Sequence, residues 1–113
     1  MSSFIHRDLV KRWQSLSFLE QMANIGSEVN RALRWQKENK ELFENAAFRA
    51  LELLDLTILN SRQNRSRLKE LTRLREVFCD AILGGQEYHS SLKDLERYFY
   101  HFALAVNLTK KNR

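Results

Sequence analysis

The sequence predicts an all-α fold, an antiparallel up-down four-helix bundle preceded by a short extra N-terminal helix. Three observations carry that reading. Proline is absent and there are three glycines in 113 residues, so the residues that punctuate hairpins and sheets are nearly missing. Apolar residues recur three and four positions apart along most of the chain, the period of a helix with one buried face. The segments so marked are joined by short connections, as successive helices of a bundle are. The length suits one domain, residues 1–113, with a single modest core.

The elements follow in order. A short segment spans about 4–14, with Ile5, Leu9 and Trp13 one turn apart. "SFLE" then offers Ser17 and Glu20 as a capping box, whose side chains satisfy the backbone N–H groups that open a helix. That helix spans about 18–38 and lines up Phe18, Met22, Ile25, Val29 and Ala32. The next covers about 40–59 along Phe43, Ala47, Ala50 and Leu54, and "NSRQN" ends it. The third long helix, about 66–83, turns Leu68, Leu71, Leu74, Phe78 and Ile82 inward. Gly84 stops it, because glycine takes a left-handed C-cap at little cost. The last, about 91–108, opens at Ser91 and Asp94 and buries Leu95, Phe99, Phe102 and Val106.

Composition excludes several classes. No apolar run approaches the ~20 residues of a membrane span. "MSSFIHRDLVKRW" carries Arg7, Asp8, Lys11 and Arg12 where a signal peptide needs an unbroken apolar stretch. Cys79 is the single cysteine, which rules out an intrachain disulfide and an all-cysteine metal site. A cytoplasmic protein is expected.

Enzymatic motifs are hard to find. Metal-binding bundles use Glu-x-x-His on facing helices, and none of His6, His89 and His101 has an acid at that spacing, while Glu52 falls on an outward arc. "LGGQE" lacks the spaced glycines and the lysine of a phosphate loop. Neither metal nor cofactor nor small-molecule substrate is expected. One enzymatic alternative rests on "RYFYH", where Arg97 and His101 stand one turn apart late in the last helix. That resembles the Arg…His pair of the HEPN family, whose ribonuclease members cut RNA. This chain sets the two residues closer together than the HEPN pattern does, and it has Tyr98 where a polar residue usually follows the arginine.

Charge is the stronger lead. Lys and Arg total 19 against 14 Asp and Glu, a net +5. In an up-down bundle the excess gathers at one end. Arg7, Lys11 and Arg12 come from the first segment, Arg62, Arg65, Arg67 and Lys69 from the connection "LNSRQNRSRLKE", and Lys110, Lys111 and Arg113 from the tail. A basic end of this kind is expected to contact several phosphates of RNA or DNA without reading sequence, with affinity that falls as salt rises. A protein-binding adaptor with an acidic or apolar partner is the non-nucleic-acid alternative.

Two further expectations concern packing. The helix at 40–59 is apolar nearly all round, turning Phe48, Leu56 and Leu59 away from the core arc with Leu53 on the flank of that patch, and the last helix turns Tyr100, Leu104 and Leu108 outward. Such patches exceed what soluble monomers usually expose. The short N-terminal segment can cover one of them but not both, so a homo-oligomer is expected, head-to-tail and ring-forming. Arg75 falls inside the apolar arc of its helix and is expected to be buried in an ion pair with Glu28, Asp55 being the other candidate. Arg75→Ala would then cost ~3–5 kcal/mol.

A small basic four-helix bundle carrying "NRSRLKELTRLR" and "LERYFYHFALAVNL" resembles a bacterial family. Its members are the proteins encoded in intervening sequences of large-subunit ribosomal RNA, together with the accessory variability (Avd) proteins of diversity-generating retroelements. The resemblance implies a pentameric barrel whose basic surface binds nucleic acid and a reverse transcriptase, a nucleic-acid-processing enzyme.

Overall fold

A computed structural model describes residues 3–111, with side chains described from residue 8 to residue 110. The described residues form five helices and no strand: α1 (Ser3–Gln14), α2 (Phe18–Trp35), α3 (Lys40–Asn60), α4 (Arg65–Ile82) and α5 (Leu92–Lys111). α2 to α5 make the expected antiparallel bundle, and α1 packs against α3.

The helix starts have local causes. Ser17 Oγ accepts from Glu20 N at 3.1 Å while Glu20 Oε1 accepts from Ser17 N at 2.9 Å, the reciprocal capping box. Asn39 and Asn64 cap α3 and α4 by accepting from Leu42 N and Arg67 N, each at 3.0 Å. Ser91 and Asp94 exchange a similar pair of bonds before α5. α2 stops at Trp35, short of the expected Glu38, because the N–H groups of Glu38 and Asn39 both turn back to the Trp35 carbonyl. After α4, Gly84 and Gly85 take φ of +115° and +72°. At Gly85 a side chain is excluded twice over, since a Cβ there would also lie 2.5 Å from the Ser90 carbonyl oxygen.

α2 is the hub. Its stripe Met22, Ile25, Val29 and Ala32 is buried against Ala47, Ala50 and Leu54 of α3, Leu71, Leu74 and Phe78 of α4, and Leu95 and Phe99 of α5. Its nearest neighbours are α3 and α5. Gly26 explains the second approach: a Cβ at that position would sit 2.7 Å from Phe99 Cβ, so only glycine lets α5 come this close. The predicted inward residues nearest the helix ends, among them Phe18, Phe43, Ile82 and Val106, are half-buried.

α1 is held on α3 by Leu9 and Trp13, both buried. The Trp13 Nε1–H donates to Thr57 Oγ1 at 2.8 Å, and the Thr57 hydroxyl donates to the Leu53 carbonyl. This docking fixes the end of α1 beside the end of α3.

Candidate functional site

The end of the bundle where α1 and α3 finish and α2 and α4 begin collects the predicted cations. Lys11, Arg12, Arg62, Arg65, Lys69 and Lys110 are exposed there, and Arg67 is half-buried. α5 reaches the same end, because Phe102 meets Phe18 edge to face at 6.1 Å between ring centres. Lys110 lies about two turns further on. The side chains of Arg7 and Lys111, and the whole of Arg113, lie outside the described residues. The ion pairs found among the described residues are Arg31–Glu28, Lys40–Glu44, Arg49–Glu52 and Arg75–Asp55. None of the basic-end cations takes part in one of these.

Within this end lies a cleft of about 330 Å³, lined by Gln14, Phe18, Gln21, Asn60, Ser61 and Arg67. The Arg67 guanidinium carbon sits 3.9 Å from the centre of the Phe18 ring, a cation–π stack. Gln21 is only 5% exposed, and its Nε2 donates to the Trp13 carbonyl at 2.8 Å. Sequence reasoning missed this cleft. The available signal was polar residues in apolar register, since Gln21 follows Phe18 and precedes Ile25 on the buried stripe of α2.

The outward apolar residues divide unevenly. Tyr100 (61% exposed), Leu104 (44%) and Leu108 form a continuous exposed strip, one turn apart along α5. On α3, Phe48 (62%) and Leu59 are exposed as expected. Leu53, however, is buried, and Leu56 is half-buried against the core. The docking of α1 accounts for that correction, because Trp13 is anchored at Thr57, one turn beyond Leu53 and next to Leu56. Leu83, which the sequence reading placed in its helix, is exposed at the start of the α4–α5 connection.

The expected Arg75–Glu28 pair does not form. Arg75 Nε–H donates to Asp55 Oδ1 at 2.7 Å and Nη2 reaches Asp55 Oδ2 at 3.5 Å, with side-chain exposures of 40% and 55%. Glu28 is buried but answers Arg31 on its own helix. The guanidinium therefore bridges α4 to α3 at the surface, where its long stem lets the charged head reach water. The hydrogen bond to Asp55 raises its pKa further above the ordinary value, against partial burial. Arg75 Nη1 also lies 3.7 Å from the half-buried Cys79 Sγ.

The enzymatic candidates are spread out. His89 sits in the α4–α5 connection with a φ of +54°, and the His6 side chain lies outside the described residues. Arg97 and His101 border a groove of about 440 Å³ between α2 and α5, floored by Gly26 and Phe99 and edged by Asn30. Glu52 pairs with Arg49 at 3.0 Å. Among the described residues, no group of three or more His, Cys, Asp or Glu side chains could hold a metal ion, and no helix is long and apolar enough to cross a membrane. Tyr98 is half-buried, and burial, then neighbouring Glu70, pushes its hydroxyl up to about 12.

Comparison of the chain with protein-family models, curated proteins and solved structures finds no match.

Proposed function

We propose that this bundle is a non-enzymatic, oligomeric protein that binds nucleic acid, alone or together with a nucleic-acid-processing enzyme, through its basic end. The carrying observation is that Lys11, Arg12, Arg62, Arg65, Arg67, Lys69 and Lys110 share one end while the ion pairs among the described residues involve other cations. Cations without an acidic partner are free to displace the counterions around a phosphate backbone, the main source of sequence-independent affinity. The amphipathic surroundings of the α5 strip support self-association. Tyr100, Leu104 and Leu108 give an elongated apolar surface, and aromatic residues are enriched at interface cores.

The test is a fluorescence titration of generic RNA and duplex DNA at several salt concentrations. The expected result is an affinity that falls steeply, with a log–log slope approaching one unit for each phosphate contacted. Affinity independent of salt, or no binding at low salt, would remove the reading. For assembly, Leu104→Glu should give smaller species in light scattering than the wild type, because it places a carboxylate in the apolar contact. A wild type that is already monomeric at micromolar concentration would refute that part.

A further inference from the structure

We infer that the cleft at the basic end takes an unpaired nucleobase, so that this end prefers single-stranded to duplex nucleic acid. The inference rests on reading the end as a nucleic-acid surface and adds what enters it. Two features of the cleft distinguish a base from a bare phosphate.

The first is the Arg67–Phe18 stack. With its carbon 3.9 Å from the ring centre, the guanidinium is held against an aromatic ring in the cleft lining rather than left as a mobile point charge. Phe18 is in turn fixed by its edge contact with Phe102. Planar guanidinium and aromatic groups are the surfaces on which unstacked bases settle. A phosphate binds a guanidinium through its N–H edge and gains nothing from its face.

The second is an open acceptor. Gln21 donates through Nε2 to the carbonyls of Trp13, at 2.8 Å, and Leu16, at 3.5 Å, which fixes the orientation of the amide. Its Oε1 has no hydrogen-bond donor among the described residues, although the side chain is 95% enclosed and lines the cleft. No fully buried polar side-chain atom is unsatisfied among the described residues, so this oxygen faces the cleft space. An acceptor open only to the cleft is met by water or by a donor that enters it. The exocyclic amino and ring N–H groups of bases are donors, whereas a phosphate diester has none. The Asn60 amide and Ser61 hydroxyl on the same wall can pair with either kind of base edge. The volume, about 330 Å³, lies at the small end of the ~300–1,000 Å³ range of ligand pockets. A base in a duplex keeps its edges paired and its faces stacked, and cannot enter.

The test compares a short oligo(dA) strand with the same strand annealed to oligo(dT), titrated against the full chain at fixed salt. Charge density alone favours the duplex, whose salt slope per phosphate is the steeper. The inference predicts the reverse, a single strand bound about tenfold tighter, in the range that stacking of a base contributes. Arg67→Lys, which keeps the charge and loses the plane, should abolish that preference and leave duplex affinity within about twofold. Asn60→Ala, at an exposed position, should weaken the strand alone. Equal or better binding of the duplex by the wild type, or an equal loss for both forms in Arg67→Lys, would overturn the base cleft and leave the basic-end reading standing. Failure of both forms to bind at low salt would overturn both.

Discussion

The two ends of the bundle use charge in opposite ways. In the α4–α5 connection, Asp80, Glu76 and Arg73 are occupied in holding the chain. Asp80 accepts from the backbone N–H groups of Glu87 and Tyr88 at 2.9 and 3.0 Å. The Tyr88 hydroxyl donates to Glu76 at 3.1 Å, which raises the pKa of the phenol, and the Arg73 guanidinium lies 5.6 Å from the Tyr88 ring centre. At the opposite end the shape is set mainly by neutral groups, Trp13 on Thr57, the Gln21 amide and the Asn64 cap, with the Glu20 carboxylate closing the capping box of α2. The described cations of that end take part in none of the ion pairs, although Arg67 stacks on Phe18. A net charge of +5 matters less than this division, because only uncommitted charge is available to a partner.

The largest effect should come from the pin that shapes the basic end. Trp13→Ala removes a buried indole and should cost ~3–5 kcal/mol in urea melts, with trypsin gaining access to Lys11 and Arg12. A loss below ~1 kcal/mol would mean that α1 does not rely on this contact. Asp80→Ala should come next, at ~1–2 kcal/mol, because two backbone N–H groups lose a charged acceptor on which the turn depends. The matching change at the basic end, Arg62→Gln with Arg65→Gln, should leave stability within ~0.5 kcal/mol. Similar losses at the two ends would erase the distinction between committed and free charge. Arg75→Ala should also cost little, ~0–1 kcal/mol, since an ion pair this exposed contributes little. Arg73→Ala should be comparable, and a gap above ~2 kcal/mol in denaturant melts would restore the buried role that the sequence suggested for Arg75.

That misplacement shows where the sequence was informative. Periodicity located every helix to within a few residues, because capping at Ser17 and Ser91 and the stop at Gly84 are local chemistry. It also placed the inward stripes, since Met22, Ile25, Leu71 and Phe78 are fully enclosed. For Arg75 the sequence offered Glu28 first and Asp55 second, and the second is the partner it takes: at the margin of an apolar arc, a long side chain goes to whichever carboxylate its neighbour presents. Leu53 was misjudged for a related reason. A helix apolar on all sides shows that something covers it without showing what, and α1 supplied the cover. Of the cleft only Gln21, polar in an apolar stripe, left a trace in the sequence, because the ends of α1 and α3 and the starts of α2 and α4 build it together.

The central claim is that the position of the cations, more than their number, makes the binding surface. Two triple variants of equal charge test it most directly: Arg62, Arg65 and Lys69 to glutamine at the basic end, and Lys37, Lys40 and Lys93 to glutamine at the other, all exposed. Each should be titrated with the same RNA across a salt series. The basic-end triple should lose about one unit of log–log slope for every phosphate contact removed, with the other triple close to the wild type. Equal losses from the two triples would show that net charge alone attracts the nucleic acid, and would contradict the account.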